Sequence, residues 1–165
     1  MGRRAILAGM ALAAAVVAPV APAGGEAVTC NFSAVFTLSP GLSVQANSGT
    51  FTSDGERGEI VCGSSRGSFG AEGRYGTADP DACFADGEGD GLQSWTMRSG
   101  AGEGHETNFI TFTYGVLAAG GPISGRFQVP RFSGTFEVSA TKGDCVTAPV
   151  TEVILRGQGT MRQPH

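Results

Sequence analysis

Between Val28 and Leu38 the side chains alternate. Val28, Cys30, Phe32, Ala34, Phe36 and Leu38 fall on one face, and Thr29, Asn31, Ser33, Val35 and Thr37 on the other. A strand sends successive side chains to opposite faces, whereas a helix repeats every 3.6 residues, so the pattern specifies a strand buried on one side. It recurs. Ile110, Phe112, Tyr114 and Val116 oppose Phe109, Thr111 and Thr113, and Phe132, Gly134, Phe136, Val138 and Ala140 oppose Ser133, Thr135, Glu137 and Ser139. No segment beyond residue 27 carries a convincing helical period. The alternation predicts eight strands, near 28–38, 48–63, 67–76, 91–99, 105–116, 122–129, 132–140 and 146–161, with ends defined to about three residues. A break in the second is expected at Ser53-Asp54-Gly55-Glu56. Turns are expected at Pro40-Gly41, Gly100 to Gly104, Gly120-Gly121-Pro122 and Lys142-Gly143-Asp144.

Eight antiparallel strands can close on themselves and leave no sheet edge. The expected fold is therefore all-β, a small closed barrel, with a β-sandwich as the alternative. A membrane barrel alternates as well, with its apolar face outward. Clear aromatic girdles are absent and the chain ends in Arg-Gln-Pro-His, which favours an apolar interior. The 27 glycines do not signal disorder, because disordered chains lack such aromatic alternation. A loose echo, Ser48-Gly49-Thr50-Phe51, Ser124-Gly125-Arg126-Phe127 and Ser133-Gly134-Thr135-Phe136, is spaced too irregularly for a repeat unit. It reads as small residues beside aromatics in a curved sheet.

Residues 1–27 have the form of a secretory signal peptide. Arg3 and Arg4 precede an uncharged apolar stretch from Ala5 to Ala18, and Ala21-Pro22-Ala23 and Gly25-Glu26-Ala27 are small-residue cleavage candidates. The stretch is short for a membrane span and has no basic stop after it. A single domain is expected over 28–162, with 163–165 a disordered tail. Cleavage after Ala23 removes 23 of 165 residues and leaves 142, with 9 basic residues (11 less Arg3 and Arg4) against 15 acidic, a net charge of −6. That balance excludes a basic patch for nucleic acid or anionic membrane.

Cys30, Cys62, Cys83 and Cys145 all follow the leader. An even count in an exported chain reads as two disulfides, and their wide spacing does not suit zinc. Cys30 and Cys62 fall at one end of the expected barrel and Cys83 and Cys145 at the other, which predicts 30–62 and 83–145.

Asp86, Glu88 and Asp90, followed by Gly91, match the first half of a calcium loop. The twelfth position, which should carry a bidentate acid, is Met97. The expected reading is an acidic hairpin loop with at most weak calcium binding. Asp79 and Asp81 add to its charge. Gly63-Ser64-Ser65-Arg66-Gly67 matches the G-x-S-x-G elbow, but a strand follows it, and the chain's histidines are His105 and the terminal His165. It is read as a turn. Glu103, His105 and Glu106 in a glycine-rich loop do not make a closed metal shell. Asn31-Phe32-Ser33 is a glycosylation sequon only in a eukaryotic source. Tyr75, Trp95 and Met97 are candidates to line a cavity, although Phe32, Phe36, Phe51, Phe69, Phe112, Phe127 and Phe136 could fill much of it.

The four-cysteine frame, with Gly143-Asp144-Cys145-Val146-Thr147-Ala148-Pro149-Val150-Thr151 near the last strand, resembles a group of small exported actinobacterial β-proteins. The acidic 79–91 segment departs from their Ser/Thr/Gly-rich composition. The resemblance implies location and architecture; it carries over no site residues. The functional expectation is an exported, non-enzymatic binding or cell-envelope interaction module. It needs no cofactor, and its partner is a small ligand or an envelope protein. The alternatives are a small isomerase or cyclase, with Tyr75, Glu72, Arg74 and Trp95 as the residues to suspect, or a secreted inhibitor.

Overall fold

The computed structural model describes residues 27–43, 48–53, 58–77, 86–99, 102–116 and 122–162. They form nine strands: β1 (Ala27–Leu42), β2 (Ser48–Ser53), β3 (Glu59–Cys62), β4 (Ser65–Thr77), β5 (Gly87–Ser99), β6 (Gly102–Val116), β7 (Ile123–Val129), β8 (Phe132–Lys142) and β9 (Val150–Arg162). All pair antiparallel, and β9 returns to pair with β1, which closes the sheet. β2 and β3 occupy one position in the barrel, because each pairs with both β1 and β4. The result is an eight-stranded barrel with one strand in two pieces.

That break falls where Ser53-Asp54-Gly55-Glu56 predicts it. On β1, Phe36 faces Ser53 and Ser33 faces Glu59, so three steps along β1 match six along its partner. On β4, Thr52 faces Glu72 and Glu59 faces Ser68, four steps against seven. Three extra residues are thus accommodated on both sides, as a bulge requires.

Several strands extend beyond their expected limits. β1 continues through Pro40-Gly41, expected as a turn, and the ladder to β9 is irregular between Thr37 and Leu42. Proline has no N–H to give a ladder, so the strand persists there with its pairing interrupted. β5 begins at Gly87 and β6 at Gly102, so Gly87–Gly91 and Glu103–Glu106 are paired strand rather than loop. β9 begins at Val150, later than expected, because Asp144 organises the connection before it. Its carboxylate accepts from the N–H groups of Val146, Thr147 and Ala148 and from the Thr147 hydroxyl. These bonds, the Thr147 hydroxyl first, hold the exposed Asp144 carboxyl well below the usual carboxylate range. The motif that carries the resemblance to exported proteins is thus a capped turn.

The apolar face is the inner one, the reverse of a membrane barrel. Among the described residues no helix is long and apolar enough to cross a membrane. Ion pairs such as Arg66–Glu59 and Arg98–Glu103 lie exposed on the outside and contribute little to stability.

Inside, aromatic rings lie across glycines of the neighbouring strand. Gly89 faces Phe112 and Gly87 faces Tyr114. Gly49 faces Tyr75, Gly125 faces Phe136 and Gly157 faces Phe32. A β-carbon on Gly89 would lie 2.1 Å from the Phe112 ring. The glycines are therefore the floor on which the rings rest. The Ser-Gly-x-Phe echo is the same device, with Gly and Phe two apart on the inner face.

The two ends of the barrel differ. At one end lie the Gly63-Ser64 and Pro130-Arg131 turns and the outer limits of β1 and β9. There Cys30, Ile60, Cys62, Trp95 and Val129 are buried and fill the space. Cys30 faces Cys62 in register and is bonded to it. Above them sits an aromatic layer, with Phe32 5.1 Å from Phe69, 5.3 Å from Phe127 and 5.6 Å from Phe132 between ring centroids. At the other end lie the limits Leu42 of β1, Ser48 of β2, Thr77 of β4, Gly87 of β5, Val116 of β6 and Ile123 of β7, with the Gly143–Pro149 connection. No described cysteine is free. The expected 83–145 pairing involves Cys83, which lies outside the described residues.

Candidate functional site

Strand alternation on β5 decides what Asp-Gly-Glu-Gly-Asp-Gly does. Gly87, Gly89 and Gly91 share a face with Gln93, Trp95 and Met97, and that face is the inner one. Glu88 and Asp90 consequently point outward. Asp90 lies 3.4 Å from the Arg74 guanidinium, so one of the three acids already has a cation. No group of three or more His, Cys, Asp or Glu among the described residues could hold a metal. The segment is therefore a strand with room for rings on its inner side, which corrects the acidic-loop reading; its three acids are not gathered around a common point.

The other sequence candidates disperse similarly. Glu103 pairs with Arg98 at 2.7 Å, and His105 lies 3.2 Å from the Thr96 hydroxyl. Glu106 is on the opposite face of the same strand from both. Ser65 opens β4 directly after the Gly63-Ser64 turn, so no strand-to-helix elbow forms. Glu72 and Arg74 are exposed, whereas Tyr75 and Trp95 are buried, so the four enzyme candidates do not share a site. Asp79, Asp81 and His165 lie outside the described residues.

What the barrel does contain is a cavity of about 120 Å3 above the aromatic layer, on the side away from the Cys30–Cys62 bridge. Phe32, Phe69, Phe127 and Phe132 make its floor, and Phe36, Phe51, Phe112 and Phe136 stand around it. These upper rings touch edge to face, with Phe51 5.5 Å from Phe112 and Phe112 6.0 Å from Phe136. Such contacts hold the wall in place. Tyr75 and Tyr114 line the cavity too, but their hydroxyls are turned to the backbone. Tyr75 donates to the Pro40 carbonyl, and Tyr114 donates to the Gly76 carbonyl at 3.2 Å. Burial pushes both phenols up to about 12, the neighbouring Tyr75 adding to the effect on Tyr114.

The lining has one further polar side chain, Gln93. It lies between Ala71 on β4 and Asn108 on β6 and is 1% exposed. Among the described residues neither its Nε2 nor its Oε1 has a hydrogen-bond partner. Two donors and an acceptor are thus packed within the wall, out of reach of water and of the cavity itself. A buried amide without partners costs about 1–3 kcal/mol. Among the described residues no carboxylate, imidazole, ammonium or guanidinium lines the cavity. Its described lining is therefore apolar apart from Gln93 and the two tyrosines.

The chain matches no protein-family model, no curated protein and no solved structure. Function must therefore be argued from this cavity.

Of the residues expected at a cavity, Tyr75 lines it. Trp95 instead packs beneath the floor against Phe132, at 5.3 Å between centroids, and Met97 packs against the core without reaching the cavity. The phenylalanines expected to fill the barrel mostly form its wall. Gln93 and Tyr114 were not anticipated. The signal for Gln93 is in the sequence: alternation places it on the same face as Trp95 and Met97, where a glutamine is out of keeping with its neighbours.

Proposed function

We propose that this protein is an exported, non-enzymatic binding module that holds a small, largely apolar ligand inside its barrel. The observation that carries the reading is an apolar cavity of about 120 Å3 inside the barrel, walled by phenylalanine rings, with Gln93 in its lining. Small-ligand sites share this composition, a mostly apolar wall with a few placed polar groups. Export is supported by the Cys30–Cys62 bridge, since such bonds persist in oxidising compartments, and by the leader-like residues 1–27. The resemblance to small exported actinobacterial proteins and a second bridge, 83–145, belong to the same proposal.

The test is to express the chain with its leader, purify the exported form and extract it for mass spectrometry. The Gln93 side-chain amide is then followed by NMR while small apolar compounds are added. Co-extracted small molecules, or a saturable shift of that amide, support the reading. An unresponsive Gln93 amide across an apolar series, with nothing extracted, defeats it.

A further inference from the structure

The barrel closes over only part of its height. On one side β6 is paired with β5 from Gly102 to Tyr114, whereas on the other β7 pairs with it only from Thr111 to Val116. β7 stops at Val129, and the Pro130-Arg131 turn leads straight into β8. Proline has no N–H with which to continue the ladder. Beyond that turn, no described strand pairs with the free side of Gly102–Asn108. These residues are exposed or half-buried. A β-carbon on Gly102 or Gly104 would meet nothing within 4 Å, unlike one on the glycines under the rings. In a strand paired on one side, alternate N–H and C=O groups point away from the partner. The seven residues Gly102–Asn108, at about 3.4 Å each, thus offer an edge of roughly 24 Å to an added strand.

The side chains along this edge select its occupant. Phe109 is 59% exposed, and Leu92, directly across on β5, is 49% exposed. Both lie on the outer face, where one limit of the edge adjoins them. An apolar side chain placed opposite Thr107 would reach Phe109 diagonally. Glu106 points to the other face. Glu103 is paired with Arg98, but among the described residues no ion pair holds Glu106. The residue opposite Glu106 is therefore best basic. A second copy of this chain answers neither demand. Two such edges in full antiparallel overlap set Glu103 of one copy opposite Thr107 of the other, a carboxylate beside Phe109, and Gly104 opposite Glu106. They also join two chains that each carry a net charge of −6 beyond residue 23.

We infer that the free edge of β6 pairs antiparallel with an extended segment of a partner protein, one that sets an apolar residue opposite Thr107 and a basic residue next to it, opposite Glu106. Main-chain hydrogen bonds supply the affinity of such strand addition, and the alternate side chains supply its selectivity. The site lies at the Cys30–Cys62 end and does not depend on the cavity. The probe is a capped peptide, Thr-Phe-Lys-Thr-Val-Thr-Thr, whose phenylalanine falls opposite Thr107 and whose lysine falls opposite Glu106. It is added to the purified exported protein, and hydrogen exchange of the Gly102–Asn108 amides is read by NMR. In the free protein alternate amides should exchange quickly, and saturating peptide should slow those amides at least about tenfold. A peptide with glutamate in place of its lysine should bind about tenfold more weakly, and Glu106→Gln should abolish that difference. Slow exchange of all seven amides in the free monomer would overturn the open edge. Unaltered exchange with peptide, or equal affinity of the two peptides for the parent, would overturn the partner assigned to it. Protection that rises with protein concentration, together with a dimer in sedimentation, would give the edge to a second copy and overturn it too. Circular dichroism checks the fold of Glu106→Gln, and the two peptides on the parent test the charge preference without any substitution.

Discussion

Replacing Gln93 by methionine should make the ligand-free protein more stable, although it alters a fully buried residue. Most large changes at such positions destabilise. Here the side chain is 1% exposed and neither polar atom has a partner. The folded state therefore bears a desolvated amide that the unfolded state gives back to water, a cost of about 1–3 kcal/mol. Methionine removes that cost. It is close in size and adapts to irregular space. The expected gain is about 1–3 kcal/mol in unfolding free energy, or a rise in melting temperature of roughly 3–10 °C for a domain of this size. Urea denaturation followed by circular dichroism measures it, on protein unfolded and refolded to remove bound molecules. The midpoint should rise without change in slope. Gln93→Glu is the opposing control. Burial would raise the glutamate pKa above its unfolded value, so the variant should be least impaired at acidic pH and lose stability as pH rises past about 4. A lower midpoint for Gln93→Met, with the slope unchanged, would mean that the amide is already hydrogen-bonded, and the reasoning from its isolation would fail.

Gly89→Ala should cost about 1–3 kcal/mol by overpacking, because its β-carbon would sit 2.1 Å from the Phe112 ring and 2.5 Å from the Arg74 carbonyl; an unchanged melting temperature would contradict the inner placement of the segment's glycines. Calcium should not stabilise the protein, and Asp90→Asn should alter stability by no more than about 0.5 kcal/mol; a micromolar calorimetric signal that disappears in the variant would reverse this reading. Replacing Cys30 and Cys62 together by alanine should lower stability by roughly 3–4 kcal/mol on the loop-entropy scale, for a bridge spanning 32 residues, and non-reducing peptide mapping should recover 30–62 and 83–145. Tyr75 and Tyr114 are the chain's two tyrosines, so a spectrophotometric titration should show no phenolate near 10 and ionisation near 12. Because the folded form keeps its protons longer, stability is full below pH 10 and falls as pH rises from about 10 to 12; ordinary titration near 10 would mean that the cavity wall is open to water.

Much of the barrel is legible in the sequence. Alternation in 28–38 identifies the inward residues Cys30, Phe32, Ala34, Phe36 and Leu38, and all five are buried. The paired location of Cys30 and Cys62 follows from the strand order. What misleads is the weight given to glycine, proline and acids as turn signals. Gly87, Gly89 and Gly91 look like a flexible loop until Phe112 and Tyr114 are known to lie beside them, and that pairing is set by register with a strand some 25 residues away. Pro40 looks like a terminator, yet it is tolerated where the ladder to β9 is already irregular. The site was less legible. The aromatic count suggested a filled interior, but whether rings fill a barrel or line it depends on where they tilt, and glycines opposite them let them lie against the wall. Gln93 could have been marked from its face alone. Its lack of partners could not, because that depends on what β4, β6 and the rings leave around it.

The most direct measurement is a high-resolution crystal structure of the whole protein grown with benzene, which suits an apolar cavity of about this size. The ring should lie inside the barrel above Phe32 and Phe132, against Phe36, Phe51, Phe112 and Phe136. Ordered water in place of the probe, or side chains collapsed into the cavity, would contradict the claim that this barrel holds a ligand there.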